Sequence, residues 1–219
     1  AAAPAMRAPT ILAIVAAALA RDASAMRASV VASRSTVLAS AVGASPCVIR
    51  VFGVGGGGSN AVGRMLRSGT KGADFFCVNT DVQALDARHP GAEMMQIGTS
   101  VTRGLGAGGD PAVGKLAAEE SKKEVLSAVT GTDLAFVVAG MGGGTGSGAA
   151  PVIARCAKEA GCLTIGVVTK PFLFEGARRM RQAVAAVEQM REATDALIVV
   201  SNDKLLASES ADLPIEQAF

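Results

Sequence analysis

Beyond residue 47 the chain alternates between two kinds of apolar pattern. Short runs that are apolar throughout and rich in β-branched residues read as buried strands: 48–54 (VIRVFGV), 75–79 (FFCVN), 133–139 (DLAFVVA), 163–169 and 196–201 (ALIVVS), with 94–97 as an edge piece. Between them the period changes to that of a helix. Residues 60–68 carry Val62, Met65 and Leu66 at helical spacing, and 147–159 reads as a helix. Asp110-Pro111 opens another, with Asp as N-cap and Pro at the first helical position, running through EESKKEVLSAV to a stop at Gly131. Residues 176–193 form a long helix with Met180, Val184, Val187 and Met190 on one stripe, and 204–207 open a further helical stretch. Strands apolar on both faces and separated by helices predict an α/β fold, a Rossmann-like parallel sheet with helices on both faces. Ligands of such sheets bind at the carboxyl ends of the strands, which is where the motifs below fall.

The first 46 residues follow another rule. Met6-Arg7 precedes ten consecutive apolar residues, ILAIVAAALA, too few to span a bilayer, which needs about 20. They suit the core of a signal peptide over 6–25, with Ala18/Ala20 or Ala23/Ala25 as small-residue cleavage patterns. Residues 26–46 are rich in Ser, Ala and Arg and contain no acid, the composition of a transit peptide. Together they resemble the bipartite leader of algae with complex plastids. Met26 stands where such leaders usually have an aromatic; a mitochondrial or simple plastid presequence, or a disordered tail, is the alternative. Residues 1–46 are thus expected to be a disordered address, and 47–219 the folded domain.

Charge follows the same division. The leader holds four Arg against one Asp, while 47–219 hold 17 basic and 18 acidic residues. A nearly neutral body gives no footprint for nucleic acid. Half of the residues are hydrophobic, which excludes a disordered chain, and four Cys are too few for a disulfide framework. Cys47, Cys77, Cys156 and Cys162 lack the spacing of a metal site, and Cys77 reads as core filler. His89, before Pro90-Gly91, reads as a surface turn, and Gly63 as a mid-helix glycine costing about 1 kcal/mol.

Two glycine loops carry the chemistry. The first, Gly53-Val54-Gly55-Gly56-Gly57-Gly58, satisfies G-x-G-x-x-G between a strand and a helix, and Asp81, 23 residues after Gly58, leaves a dinucleotide site open, which wants an acid about 20 residues on. The second, Met141-Gly142-Gly143-Gly144-Thr145-Gly146-Ser147-Gly148, also leads from strand to helix. Consecutive N–H groups there form an anion nest, and Thr145 and Ser147 add hydroxyls. No Lys follows in Walker fashion, and an NAD fold has one such loop where this chain has two.

GGGTGSG resembles the tubulin signature loop. The stretch 48–219 resembles the GTP-binding domain of FtsZ, the tubulin homologue of bacterial and organellar division rings, through VFGVGGGGSNAV, FFCVNTD, RGLGAGGDP, AGMGGGTGSGAAPVIA, VVTKPFLFEGARRM and SNDKLL. The resemblance implies that Gly55, Gly56, Gly57, Gly58 and Asn60 meet the α- and β-phosphates of GTP or GDP. Gly142, Gly143, Gly144, Thr145, Gly146 and Ser147 would cradle the β- and γ-phosphates. The loop 104–109, with Gly104, Ala107 and Gly108, would sense the γ-phosphate. Glu175 and Arg179 would hold the ribose side, although at i, i+4 they also read as a solvated helix pair. Asn202 would read guanine, with Phe219 stacked on the base, and Asp81 would lie near phosphate-bound Mg2+ unless it is a turn residue. Ser201 stands where the family is expected to have proline.

The resemblance also implies partners: further copies in a head-to-tail filament, a paralogous FtsZ, and a membrane adaptor held by a tail, with no nucleic acid and no membrane span. GTP is hydrolysed in that family between subunits, by an acidic loop expected beyond residue 219. No catalytic residue is therefore expected within this chain, and the fragment alone is expected to be inactive. The leader is expected to direct the protein to a plastid stroma, with the mitochondrion as alternative. Two rival readings remain: an NAD-dependent Rossmann oxidoreductase, and a GTP-binding filament component that does not hydrolyse.

Overall fold

The computed structural model describes residues 47–85 and 89–203. Six parallel strands form one sheet: β1 Ile49–Val54, β2 Asp74–Asn79, β3 Glu93–Gln96, β4 Leu134–Gly140, β5 Leu163–Lys170 and β6 Ala196–Ser201, in the order β3-β2-β1-β4-β5-β6. The helices are α1 Gly55–Arg67, α2 Thr99–Thr102, α3 Pro111–Glu120, α4 Lys122–Val129, α5 Gly144–Glu159 and α6 Ala177–Ala193. This is the doubly wound arrangement, in which the chain leaves β1 for one edge of the sheet and returns through β4 to build the other.

Alternation along the strands sorts the core into two layers. Val51, Phe75, Cys77 and Phe136 face α1, where Val62 and Met65 meet them. Phe52, Val54, Phe76 and Val137 face the other way, against Val125, Ile153, Val187 and Met190 from α4, α5 and α6. Phe52 and Phe76 stack with ring centroids 4.9 Å apart. Each such side chain taken fully out of water stabilises the fold by about 1.5–3 kcal/mol. Among the described residues no helix is long and apolar enough to cross a membrane.

Four local expectations change. The helices after both glycine loops begin earlier than 60 and 147, within the glycines themselves, at Gly55 and Gly144. The helix expected from 110 to 131 is two helices, α3 and α4. The break falls at Ser121, whose Oγ accepts the buried Gly98 N–H at 3.1 Å and ties this point to the start of α2. On α6 the buried residues are Ala183, Ala186, Val187, Met190 and Ala193, while Val184 is exposed. The helix turns its alanines inward because small side chains let it lie close on β5.

His89 is the fourth. It is buried, at 8% exposure, rather than a surface turn residue. Its ring lies on Gly63 of α1, where a Cβ would collide with Nδ1 and with Cε1. Gly63 therefore gives up helix propensity to make room for an imidazole. Residues 1–46 and 204–219 lie outside the described residues, and with them the expected leader, the 204–207 helix and Phe219.

Candidate functional site

β1 and β4 are neighbours in the sheet, yet α1 leaves β1 toward one face and α5 leaves β4 toward the other. The two glycine loops therefore meet at the carboxyl edge of the sheet, where a doubly wound fold opens a crevice. They meet backbone to backbone. Gly55 has φ +69°, and a Cβ there would lie 2.9 Å from the Gly146 nitrogen; a Cβ on Gly57 would lie 3.1 Å from the Gly140 Cα. Gly55 is buried in this contact and Gly58 against Gly53 and Val138, while Gly56, Gly57 and Asn60 are exposed.

Neither helix start has a side-chain cap or an acidic residue in its first turn. The first N–H groups of a helix have no partner within it, and the macrodipole puts partial positive charge there. Two such ends converging without a capping carboxylate form an arrangement suited to an anion. Ser147 Oγ accepts from Gly142 N at 2.8 Å and fixes the turn. Thr145 Oγ1 lies 2.6 Å from Thr80 Oγ1, which joins the second loop to the end of β2. Whichever hydroxyl accepts in that pair keeps its own proton for another partner.

A third loop, 104–109, closes over the second. Thr102 Oγ1 donates to Thr80 O at 3.2 Å, Gly106 N donates to the same carbonyl at 3.3 Å, and Leu105 bridges Asp81. Upstream, the Glu120 carboxylate accepts from Ser100 N and Val101 N at 2.9 and 3.0 Å, and these bonds hold its pKa below the ordinary value. Downstream, Asp110 caps α3 by accepting from Ala112 N at 2.8 Å. Ala107 is buried, against Gly144.

The start of α6 supplies the far wall. Glu175 Oε1 accepts from Phe172 N at 2.8 Å, and Oε2 pairs with Arg179 at 2.6 Å. A recess of about 200 Å³ is lined by Gly108 and Gly109 of the third loop, Gly142 and Gly143 of the second, and Arg178, Arg179 and Gln182 of α6. Its charged lining residues are both arginines.

Residues 48–209 match the model of the tubulin/FtsZ family, GTPase domain. The chain belongs to the tubulin/FtsZ family. Similar solved structures include an empty FtsZ dimer of M. jannaschii, at 41% identity and TM-score 0.75, covering 80% of this chain and 50% of that one. A GTPγS-bound protofilament of CetZ2 from Haloferax volcanii matches at 29% identity and TM-score 0.68, covering 78% of this chain and 53% of that one. The GDP-bound CetZ1 monomer of the same organism matches at 27% identity and TM-score 0.67, covering 78% and 55%. The chain spans about half the length of these relatives. The six-stranded parallel sheet is the fold expected of a tubulin/FtsZ GTPase domain.

Within this tubulin/FtsZ domain, Gly108, Gly142, Gly143 and Arg179, expected from three separate segments, come together at the recess. Glu175 stands behind Arg179 as its ion-pair partner. Asp81 acts as a turn residue, its Oδ1 accepting from Gln83 N at 2.9 Å, and is half-buried beside loop 104–109. Asn202 is buried just after β6 and does not line the recess; the neighbouring Asp203 accepts from Leu173 N at 3.1 Å.

Thr80, Arg178, Gln182 and Glu120 went unnoticed in the sequence. Gln182 follows Arg179 by three residues, one helical turn on, so its spacing could have revealed it. Nothing local marks Glu120, which touches the site region only through the start of α2.

Proposed function

We propose that this domain binds GTP and GDP in the crevice between the glycine loops, as part of a self-assembling GTPase of a plastid division ring. The observation that carries the reading is the convergence of two uncapped helix N-termini, from α1 and α5, beside a recess whose charged residues are both arginines. Gly55 to Gly58 with Asn60 would bind the α- and β-phosphates, and Gly142 to Ser147 the β- and γ-phosphates. Gly104, Ala107 and Gly108 would close on the γ-phosphate. Glu175 and Arg179 would hold the ribose side, and Asn202, with a donor and an acceptor on one amide, would read guanine. Magnesium would arrive on the phosphates, with Asp81 as a nearby oxygen donor of the kind it prefers.

Head-to-tail association of copies would complete the hydrolytic site, the second copy bringing an acidic loop to the γ-phosphate, so that turnover depends on assembly. The CetZ2 protofilament bound to GTPγS supports this reading. The same assembly would involve a paralogue, with a membrane adaptor recruited by a tail.

Calorimetric titration of the 219-residue chain with GTP, GDP, ATP and NAD tests the proposal. Micromolar or tighter binding of the guanine nucleotides, lost to ATP and NAD, is expected, and Asn202→Ala should erode the preference for GTP over ATP. Binding of NAD without GTP would replace the reading with that of an oxidoreductase. Fusing residues 1–46 to a fluorescent protein tests the address, with accumulation in the plastid expected and retention in the cytosol refuting it.

A further inference from the structure

Loop 104–109 is fixed unevenly. Its first half is pinned to the end of β2 through Thr80, Asp81 and Val82. Its second half is two successive left-handed glycines, Gly108 at φ +57° and Gly109 at φ +75°, both exposed and with no atom within 4 Å of where a Cβ would stand. Such a pair resists peptide rotation very little. The turn bond from Asp110 N to Ala107 O, at 2.9 Å, closes it from within. From outside, α6 reaches it through Gln182, whose Nε2 donates to the Gly109 carbonyl at 3.3 Å.

That contact sits at the mouth of the recess, because Gln182, Gly108 and Gly109 all line it. A carbonyl oxygen carries partial negative charge and repels an anion. Engaged by the Gln182 amide, the Gly109 carbonyl is held toward α6; without that bond, the Gly109–Asp110 peptide is held by the Asp110 N turn bond alone, beside two glycines that resist rotation little.

We propose that Gln182 is the positioning residue that sets this loop for a terminal phosphate, and so sets how strongly the site prefers a nucleoside triphosphate over a diphosphate. The inference rests on loop 104–109 closing on the γ-phosphate, as proposed above. It adds a specific latch: the carboxamide at position 182 acts through Gly109 and need not touch the ligand. On that reading a diphosphate lacks the group that this loop meets, so losing the latch penalises GTP and largely spares GDP.

The test compares the full chain with Gln182→Met and Gln182→Leu, two uncharged variants that keep helix propensity and remove the donor, each checked for folding by circular dichroism. Binding of GTP and GDP is measured by calorimetry, and exchange of the 104–109 amides is followed by mass spectrometry without nucleotide. A net hydrogen bond of ordinary strength corresponds to a rise in Kd for GTP of about three- to ten-fold, with GDP changed by less than about two-fold. Faster exchange across 104–109 is expected with it. Equal weakening of both nucleotides would show a merely structural residue and overturn the inference, as would an unchanged ratio, with GTP binding by the parent chain left standing. A parent chain that binds neither nucleotide overturns the functional reading and this inference together.

Discussion

Gly55 and Gly56 are adjacent in one loop, and exchanging each for alanine should have opposite consequences. At Gly55 the backbone has φ +69°, and the added Cβ would lie 2.9 Å from the Gly146 nitrogen and 3.3 Å from its Cα. The left-handed conformation costs an alanine about 1–2 kcal/mol. The contact is with backbone, which cannot rotate aside, and overpacking of that kind costs about 1–3 kcal/mol more. Gly55→Ala should therefore lose about 2–5 kcal/mol, which for a domain of this size lowers Tm by about 4–20 °C. At Gly56 nothing lies within 4 Å and the residue is exposed within a helical turn. Gly56→Ala should fall between no change and a gain of about 1 kcal/mol, from reduced freedom of the unfolded chain. Urea and thermal unfolding without nucleotide read both variants on the same scale. Equal stabilities would refute the reasoning, since they would mean that the two loops do not meet backbone to backbone.

Gly63→Ala should destabilise by about 1–3 kcal/mol by overpacking against His89, and combining it with His89→Ala should recover part of that loss, a coupling that a double-mutant cycle in urea would read. The Glu120 carboxylate, held below its ordinary value near 4.5 by bonds from Ser100 and Val101, contributes stability that is present in full above the unfolded value. That contribution drains away as pH falls through the lowered folded value; acid unfolding followed by circular dichroism should show Glu120→Gln less stable than the parent above that range, with the difference shrinking below it. Burial pushes the Cys77, Cys156 and Cys162 thiols up, whereas Cys47 is half-buried. Alkylation of the native protein followed by mass spectrometry should label Cys47 ahead of the other three.

Much of this domain was legible in the chain because its signals are local. The apolar runs of β1, β2, β4, β5 and β6, the Asp110-Pro111 start of α3 and the strand-glycine-helix order of both loops each depend on residues within a few positions of one another. Turn chemistry and periodicity act at that range. The strand-glycine-helix pattern of each loop is likewise local, whereas the meeting of the two loops is not.

The tertiary structure decided what depends on residues distant in sequence. Placing β4 beside β1 brought Gly146 against Gly55, and no local pattern encodes a strand order. The chain breaks between α3 and α4 at Ser121, whose hydroxyl holds the Gly98 N–H, although the helical pattern runs on without interruption. His89 looks like a turn residue until Gly63 is seen to make space for it, and α6 buries its alanines because β5 lies close beneath. Gln182 meets the Gly109 carbonyl only because loop 104–109 folds back onto α6. Periodicity fixes which face of an element is apolar, but burial energy is shared across the whole core, so the partner of each face is settled only by packing all of them at once.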